Sequence, residues 1–332
     1  MPSLSVSFST IQENFINHYI WKRFEYAINL EFHQKTIRRM SLMSSSSSTS
    51  YYPFDVQRLS AIAGASVEGI DLSRPLTQSL SAAILAALDE FHVLCFRNQN
   101  LSKEAQYDFT LNFGEIEGHV GELKSGERYP LVHTVTNLDE NSGKPTLKPA
   151  SDGNYFWHTD KSYHEIPSHL TILHALEIPP KGGDTLFANM VLAYEDLTET
   201  ERQELANLRA IHSWEASRKN TGNRPATKEQ IQERPPVSHP LIRTHPNGKK
   251  SLYLGTHISH IEGQDYEVGR QRLSNLLTRD TQDKFIYRHE WRVGDLTLWN
   301  NKVLLHKADR NYEMDQHRRI LHRTVVKGTR PV

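Results

Sequence analysis

The chain has 332 residues, 37% hydrophobic and 9% aromatic, enough for one large domain or two small ones around a true core. Basic and acidic residues balance at 39 each, so no net charge draws it to nucleic acid or anionic lipid, and any affinity for anions must be local. The single cysteine, Cys95, excludes an internal disulfide and a thiolate cage, and no apolar run reaches bilayer length; both fit a soluble, cytoplasmic protein.

Residues 1–50 stand apart. They end in SLMSSSSSTS, a serine tract that neither packs a core nor holds a helix, so a flexible N-terminal extension is expected. Upstream, IWKRFEYAINLEFHQKTIRRM lacks the apolar core and cleavage site of a secretory signal, while Arg38, Arg39 and the serines keep a mitochondrial presequence as the targeting alternative. From Tyr51 the pattern is that of one domain, 51–332. VQRLSAI and ASVEGI read as short strands. Thr77 then caps a helix in which Leu80, Ile84, Leu88 and Phe91 recur at helical spacing. HVLCF follows as a buried strand, which makes Cys95 a core residue. A second helix starts at Ser102 and carries Phe109 and Phe113.

LVHTVT, SHLTILHALEI and TLFANM are strand-like, with PPKGGD a tight polar turn between the last two. Thr198 with Glu201 makes a capping box. Residues 214–236 are polar and punctuated by Pro and Gly, too long for an idle connection, and are expected to form a lid-like binding loop. Asn247-Gly248 is the best hairpin turn. A helix near 266–278 and strands FIYRHEW, LTLW and RRILHRTVVKG complete the domain. Strands dominate with few βαβ alternations, which predicts a mostly β fold with flanking helices, a double-sheet jelly-roll barrel.

One His-x-Asp, His158 and Asp160 in FWHTDKSYH, is what chance alone supplies in a chain with 18 histidines. If the segment is extended, both side chains point to one face. The C-terminal segment LTLWNNKVLLHKADRNYEMDQHRRILHRTVVKG adds His306 after a strand, and a closing strand on which Arg319, Leu321 and Arg323 share a face while Arg318 points away. Two imidazoles and one carboxylate would hold one side of a ferrous ion and leave the other open. Two same-face guanidinium forks suit two carboxylate-like groups. The rival His260-x-Glu262 has no partner motif and reads as a loop pair; His174, His317 and His322 read as structural.

These pieces, with GASVEGIDLSRPL, HVLCFRNQNLS, FGEIEGH, WHTDKSY and PPKGGDTLFANM in the same order, resemble the Fe(II)- and 2-oxoglutarate-dependent dioxygenases of the taurine dioxygenase and 2,4-dichlorophenoxyacetate dioxygenase group over roughly residues 56–330. The resemblance implies a double-stranded β-helix core, with His158, Asp160 and His306 as iron ligands and Arg319, assisted by Thr185, as the grip on 2-oxoglutarate. It implies Arg323, His119 and Asn154 around the substrate anion. The partners implied are 2-oxoglutarate, O2 and a small organic anion, an aryloxyalkanoate-type carboxylate or a sulfonate, with succinate and CO2 released. Neither nucleic acid nor membrane is among them, and a homo-oligomer stays open. In one place the chain departs from the group: Trp299-Asn300-Asn301-Lys302 stands where Trp-Asp-Asn-Arg is usual, removing a carboxylate and a guanidinium near His306. From other classes, a catalytically silent barrel binding a metabolite for regulation and a nucleic-acid demethylase are the alternatives; the charge balance disfavours the second.

Overall fold

The computed structural model describes residues 52–118, 131–149 and 152–332. Expectations for residues 1–50 and for His119 lie outside the described residues. In chain order the described strands are β1 (Asp55–Arg58), β2 (Ala65–Glu68), β3 (Val93–Phe96), β4 (His133–Thr136), β5 (Ser168–Glu177), β6 (Thr185–Asn189), β7 (Arg209–His212), β8 (Val237–Pro240), β9 (Ile242–Thr244), β10 (Lys250–Leu252), β11 (Ile258–Ile261), β12 (Ile286–His289), β13 (Leu296–Asn300), β14 (Leu304–Ala308) and β15 (Ile320–Lys327). A large sheet runs β1-β2-β3-β13-β5-β15-β4, and a small one runs β12-β6-β14.

Alternation along the central strands decides what faces what. Leu170 and Ile172 of β5 and Leu296 and Leu298 of β13 pack with Ile84, Leu88, Phe91 and Phe109 of the helices Gln78–Phe91 and Lys103–Leu111, covering the outer face of the large sheet. Their neighbours Leu173, Ala175 and Trp299 turn inward and meet Phe187 of β6, Tyr287 of β12 and Leu304 of β14. One buried cluster thus joins both sheets, and the fold is a double-stranded β-helix sandwich with flanking helices. Cys95 is wholly buried in β3, where burial, helped by the charge of Asp295, pushes its thiol up to about 12.

The helices start where side chains satisfy the first free amides. Thr77 accepts from the Leu80 amide and Ser102 from the Ala105 amide, and the Thr198–Glu201 box is formed. The 247–248 turn joins β9 to β10, with Gly248 at φ 80°. Two expectations need correction. Residues 214–236 contain two short helices, Trp214–Asn220 and Lys228–Glu233, because Ser213 caps the first and a capping box, Thr227 with Gln230, starts the second. His260 lies in β11 rather than a loop, with Glu262 beside it accepting from the Ser238 hydroxyl at 2.6 Å. Among the described residues no helix is long and apolar enough to cross a membrane.

Candidate metal centre and cosubstrate cavity

WHTDKSY is not an extended strand. His158 makes a single antiparallel bridge with His306 of β14, and the chain turns at once, with Lys161 in the left-handed region at φ 53°. The bridge is reciprocal: the His158 amide donates to the His306 carbonyl at 3.1 Å and the His306 amide to the His158 carbonyl at 2.8 Å. It brings the imidazoles to a centroid separation of 4.2 Å. The turn swings Asp160 back toward them, with Oδ1 at 3.8 Å from His158 Nε2 and Oδ2 at 3.8 Å from His306 Nε2. All three are buried and offer ligand atoms within 4.8 Å of one another. The outcome matches what alternation on a strand predicts, but a backbone bridge followed by a turn produces it.

The electrostatics suit a divalent cation. Burial holds His158 below its ordinary pKa and His306 well below it, so both imidazoles are neutral donors. The Phe156 carbonyl sits 2.7 Å from His158 Nδ1, placing the ring proton there and leaving the Nε2 lone pair free toward Asp160. Nδ1 of His306 is buried without a hydrogen-bond partner among the described residues. Burial alone would raise the Asp160 carboxyl, yet Arg323 and the two histidines outweigh it and keep Asp160 ionised, far below the usual carboxylate range.

A cavity adjoins this group, and Asn154, Thr185, Arg319 and Arg323 line it together with His158 and His306. Arg319 is buried at 5% exposure. Its amide donates to Asn137 Oδ1 at 2.8 Å and its Nε to the Gly183 carbonyl at 2.8 Å. Burial lowers its pKa, and among the described residues no carboxylate lies within ion-pair distance of it. A buried guanidinium without a counter-ion is costly unless an anion is bound beside it. The PPKGGD turn makes room for it: a Cβ on Gly183 (φ +73°) would lie 3.3 Å from Arg319 Cδ. Thr185 opens β6 at the same place and accepts from Trp291 Nε1 at 3.0 Å. Arg318 points outward and pairs with Glu177 at 2.7 Å. Arg323 lies against Asp160 Oδ1. Asn154 sits in the short helix Asp152–Tyr155, held by Arg310 through Asp152 and through stacking on Tyr155 at 4.2 Å.

The Asn300/Lys302 departure leaves the centre intact. Asn300 turns away, accepting from the Lys302 amide at 3.0 Å and lying 3.4 Å from Asp89. His306 is held instead by its bridge to His158 and by the Trp299 ring at 4.8 Å. A second buried trio, Cys95, His289 and Asp295, could also ligate by distance. Its carboxylate already pairs with Arg97, and His289 has neighbours at both nitrogens, Tyr287 at 3.0 Å and Thr297 at 3.2 Å, so it is an internal polar cluster.

Two neutral imidazoles and an ionised carboxylate beside a cavity with a buried, unpaired arginine form the layout of a 2-oxoglutarate-dependent non-haem iron dioxygenase. Residues 55–325 match the family described as Taurine catabolism dioxygenase TauD, TfdA family. An alpha-ketoglutarate-dependent 2,4-dichlorophenoxyacetate dioxygenase of Burkholderia sp. (strain RASC) is 38% identical over 273 residues, 80% of this chain and 91% of its own. An (S)-phenoxypropionate/alpha-ketoglutarate-dioxygenase of Sphingobium herbicidovorans is 30% identical over 280 residues, 82% of this chain and 95% of its own. The solved structure of AAD-2 in complex with Mn(II) and N-oxalylglycine aligns with TM-score 0.78 at 34% identity, covering 84% of this chain and 99% of that one. The chain belongs to the TauD/TfdA family. It is accordingly an oxidoreductase that uses Fe(II) and 2-oxoglutarate.

Thr171, in the middle of β5, was invisible to sequence reasoning as a site residue. It is one of several polar positions in β5, and only the strand's placement beside Asp160 shows what it touches.

Proposed function

We propose that the protein hydroxylates a small organic anion, with an aryloxyalkanoate-type carboxylate favoured over a sulfonate, releasing succinate and CO2. The observation that carries this is the convergence of His158, Asp160 and His306 on a cavity that also receives two arginines from one strand segment, Arg319 and Arg323. The names of the two relatives above, both acting on phenoxy acids, support the carboxylate.

His158 and His306 would hold Fe(II) through Nε2 and Asp160 through its carboxylate. The chemistry that Fe(II) with 2-oxoglutarate would supply there is oxidation of an aliphatic C–H bond by O2, with succinate and CO2 released. The residues do the positioning. Arg319 pairs with the distal carboxylate of 2-oxoglutarate, with Thr185 beside it, and so fixes the cosubstrate's orientation along the cavity. Arg323, Asn154 and His119 hold the substrate anion so that one C–H faces the metal. Neither histidine acts as a base; both remain neutral ligands, as their burial requires.

The catalytic domain is residues 51–332, and the helices within 214–236 act as its lid. In this reading the partners are small molecules and O2, with no nucleic acid or membrane, the protein works in the cytoplasm, and self-association is compatible with it. The silent-barrel alternative needs a lost ligand position, and all three are present. The test is succinate release across a panel of aryloxyalkanoates, sulfonates and sulfate esters, with phenol and sulfite detected as products. Release of a phenol coupled to succinate is expected. No succinate with any member would overturn the reading, as would the lack of a visible charge-transfer band when Fe(II) and 2-oxoglutarate are added without oxygen.

A further inference from the structure

We infer that Thr171 and Asn301 form a support that fixes the orientation in which the Asp160 carboxylate meets the metal; this rests on the metal reading of the triad above. Both are almost wholly buried, at 0% and 2% exposure, and neither lines the cavity. The Thr171 hydroxyl bonds Asp160 Oδ2, and Asn301 Nδ2 lies 2.9 Å from the same hydroxyl.

The direction of these bonds follows from donor counting. Asn301 Oδ1 faces two groups that only donate, the Trp299 indole N–H at 3.1 Å and the Asp160 amide at 3.4 Å. A flipped Asn301 would set its NH2 against both, so the amide group points to Thr171. The Thr171 oxygen therefore accepts from Asn301, and its single proton has one place to go, Asp160 Oδ2. Thr159 completes the brace by donating to the Asn301 carbonyl at 2.7 Å, which ties the chain on the other side of Asp160 to the same residue.

Arg323 lies against the other oxygen, Oδ1, so the Asp160 carboxylate is held at both ends and does not turn freely. It is thereby fixed with Oδ1 on the side of His158 Nε2 and Oδ2 on the side of His306 Nε2, each 3.8 Å away. Thr171 and Asn301 are thus positioning residues for the metal-binding carboxylate, and losing them lets it turn out of the orientation the two imidazoles require.

The test is Mn(II) titration of the full chain by electron paramagnetic resonance, without cosubstrate. Thr171→Val keeps the shape and removes the donor, and is expected to weaken Mn(II) binding by about 10- to 100-fold. Thr171→Ser is expected to bind like the unchanged protein, and the thermal midpoint of metal-free Thr171→Val to stay within a few degrees. Asn301→Ala is expected to weaken binding in the same direction. Binding within about twofold for both Thr171→Val and Asn301→Ala would overturn the support while leaving the metal reading standing; failure of the unchanged chain to bind Mn(II) would overturn both. If Thr171→Val does not fold, comparing Thr171→Ser with Thr171→Ala gives the same two outcomes.

Discussion

Replacing Arg319 with lysine keeps the charge and removes the fork, which isolates the geometric part of cosubstrate binding. In the structure Nε is committed to the Gly183 carbonyl at 2.8 Å, so the two terminal nitrogens are the ones left for a carboxylate. A lysine ammonium on a four-carbon stem cannot keep the Gly183 contact and also present two parallel donors. At least one charge-assisted hydrogen bond is lost, about 1.5–3 kcal/mol. That corresponds to a rise of roughly 10- to 100-fold in KM for 2-oxoglutarate. The assay is the initial rate of succinate formation with 2-oxoglutarate varied at saturating organic substrate, then the reverse, with circular dichroism confirming the fold. KM for the organic anion is expected to stay within about twofold. If the larger change falls on the organic anion, or KM for 2-oxoglutarate moves less than about threefold, Arg319 does not hold the cosubstrate and the cavity has been read in the wrong direction.

Asp160→Ala removes the anionic member of the triad and is expected to abolish both turnover and Mn(II) binding, read by the same succinate assay and by titration; residual metal affinity near that of the unchanged chain would contradict the ligand set. Arg323→Ala is expected to raise the apparent KM for the organic anion far more than that for 2-oxoglutarate, and equal effects on both would deny the separate roles of the two arginines. Gly182→Ala places a Cβ 2.2 Å from the Asn311 carbonyl oxygen at φ +75°, so the turn before β6 must shift; a loss of about 1–3 kcal/mol is expected in urea unfolding, and an unchanged midpoint would refute it. Burial pushes His92 down to about 4 and His169 and His245 down to about 3, while unfolding returns each to about 6.5. Below that value the unfolded chain binds more protons than the folded one, so stability is expected to fall as pH drops from about 6.5 toward 4. A flat urea midpoint across that window would show these rings are not buried neutral.

The strands that carry the sandwich were legible because burial on both faces of the sheet demands apolar runs, as in Val93–Phe96 and Leu296–Asn300. Helix starts were legible for a local reason, a hydroxyl three residues before an amide that needs it. The second capping box, Thr227 with Gln230, was equally local, but the surrounding polar composition masked it, so 214–236 read as a loop. His158 and Asp160 were found through a motif whose local geometry was misjudged: the left-handed Lys161 is a turn that no periodicity announces. Thr171 and Asn301 could not be found as partners at all. They are 130 residues apart in the chain, and their contact exists only because β5 and β13 lie side by side in one register.

The reciprocal bridge between residues 158 and 306 means that the spacing of the two imidazoles is inherited from main-chain geometry rather than from side-chain packing. Remodelling the substrate wall, or exchanging the helices between 214 and 233 for other sequences, leaves that spacing untouched as long as the two backbone segments still meet. Selectivity and redox chemistry can therefore drift apart over generations, one rewritten in loops while the other is stamped into the scaffold.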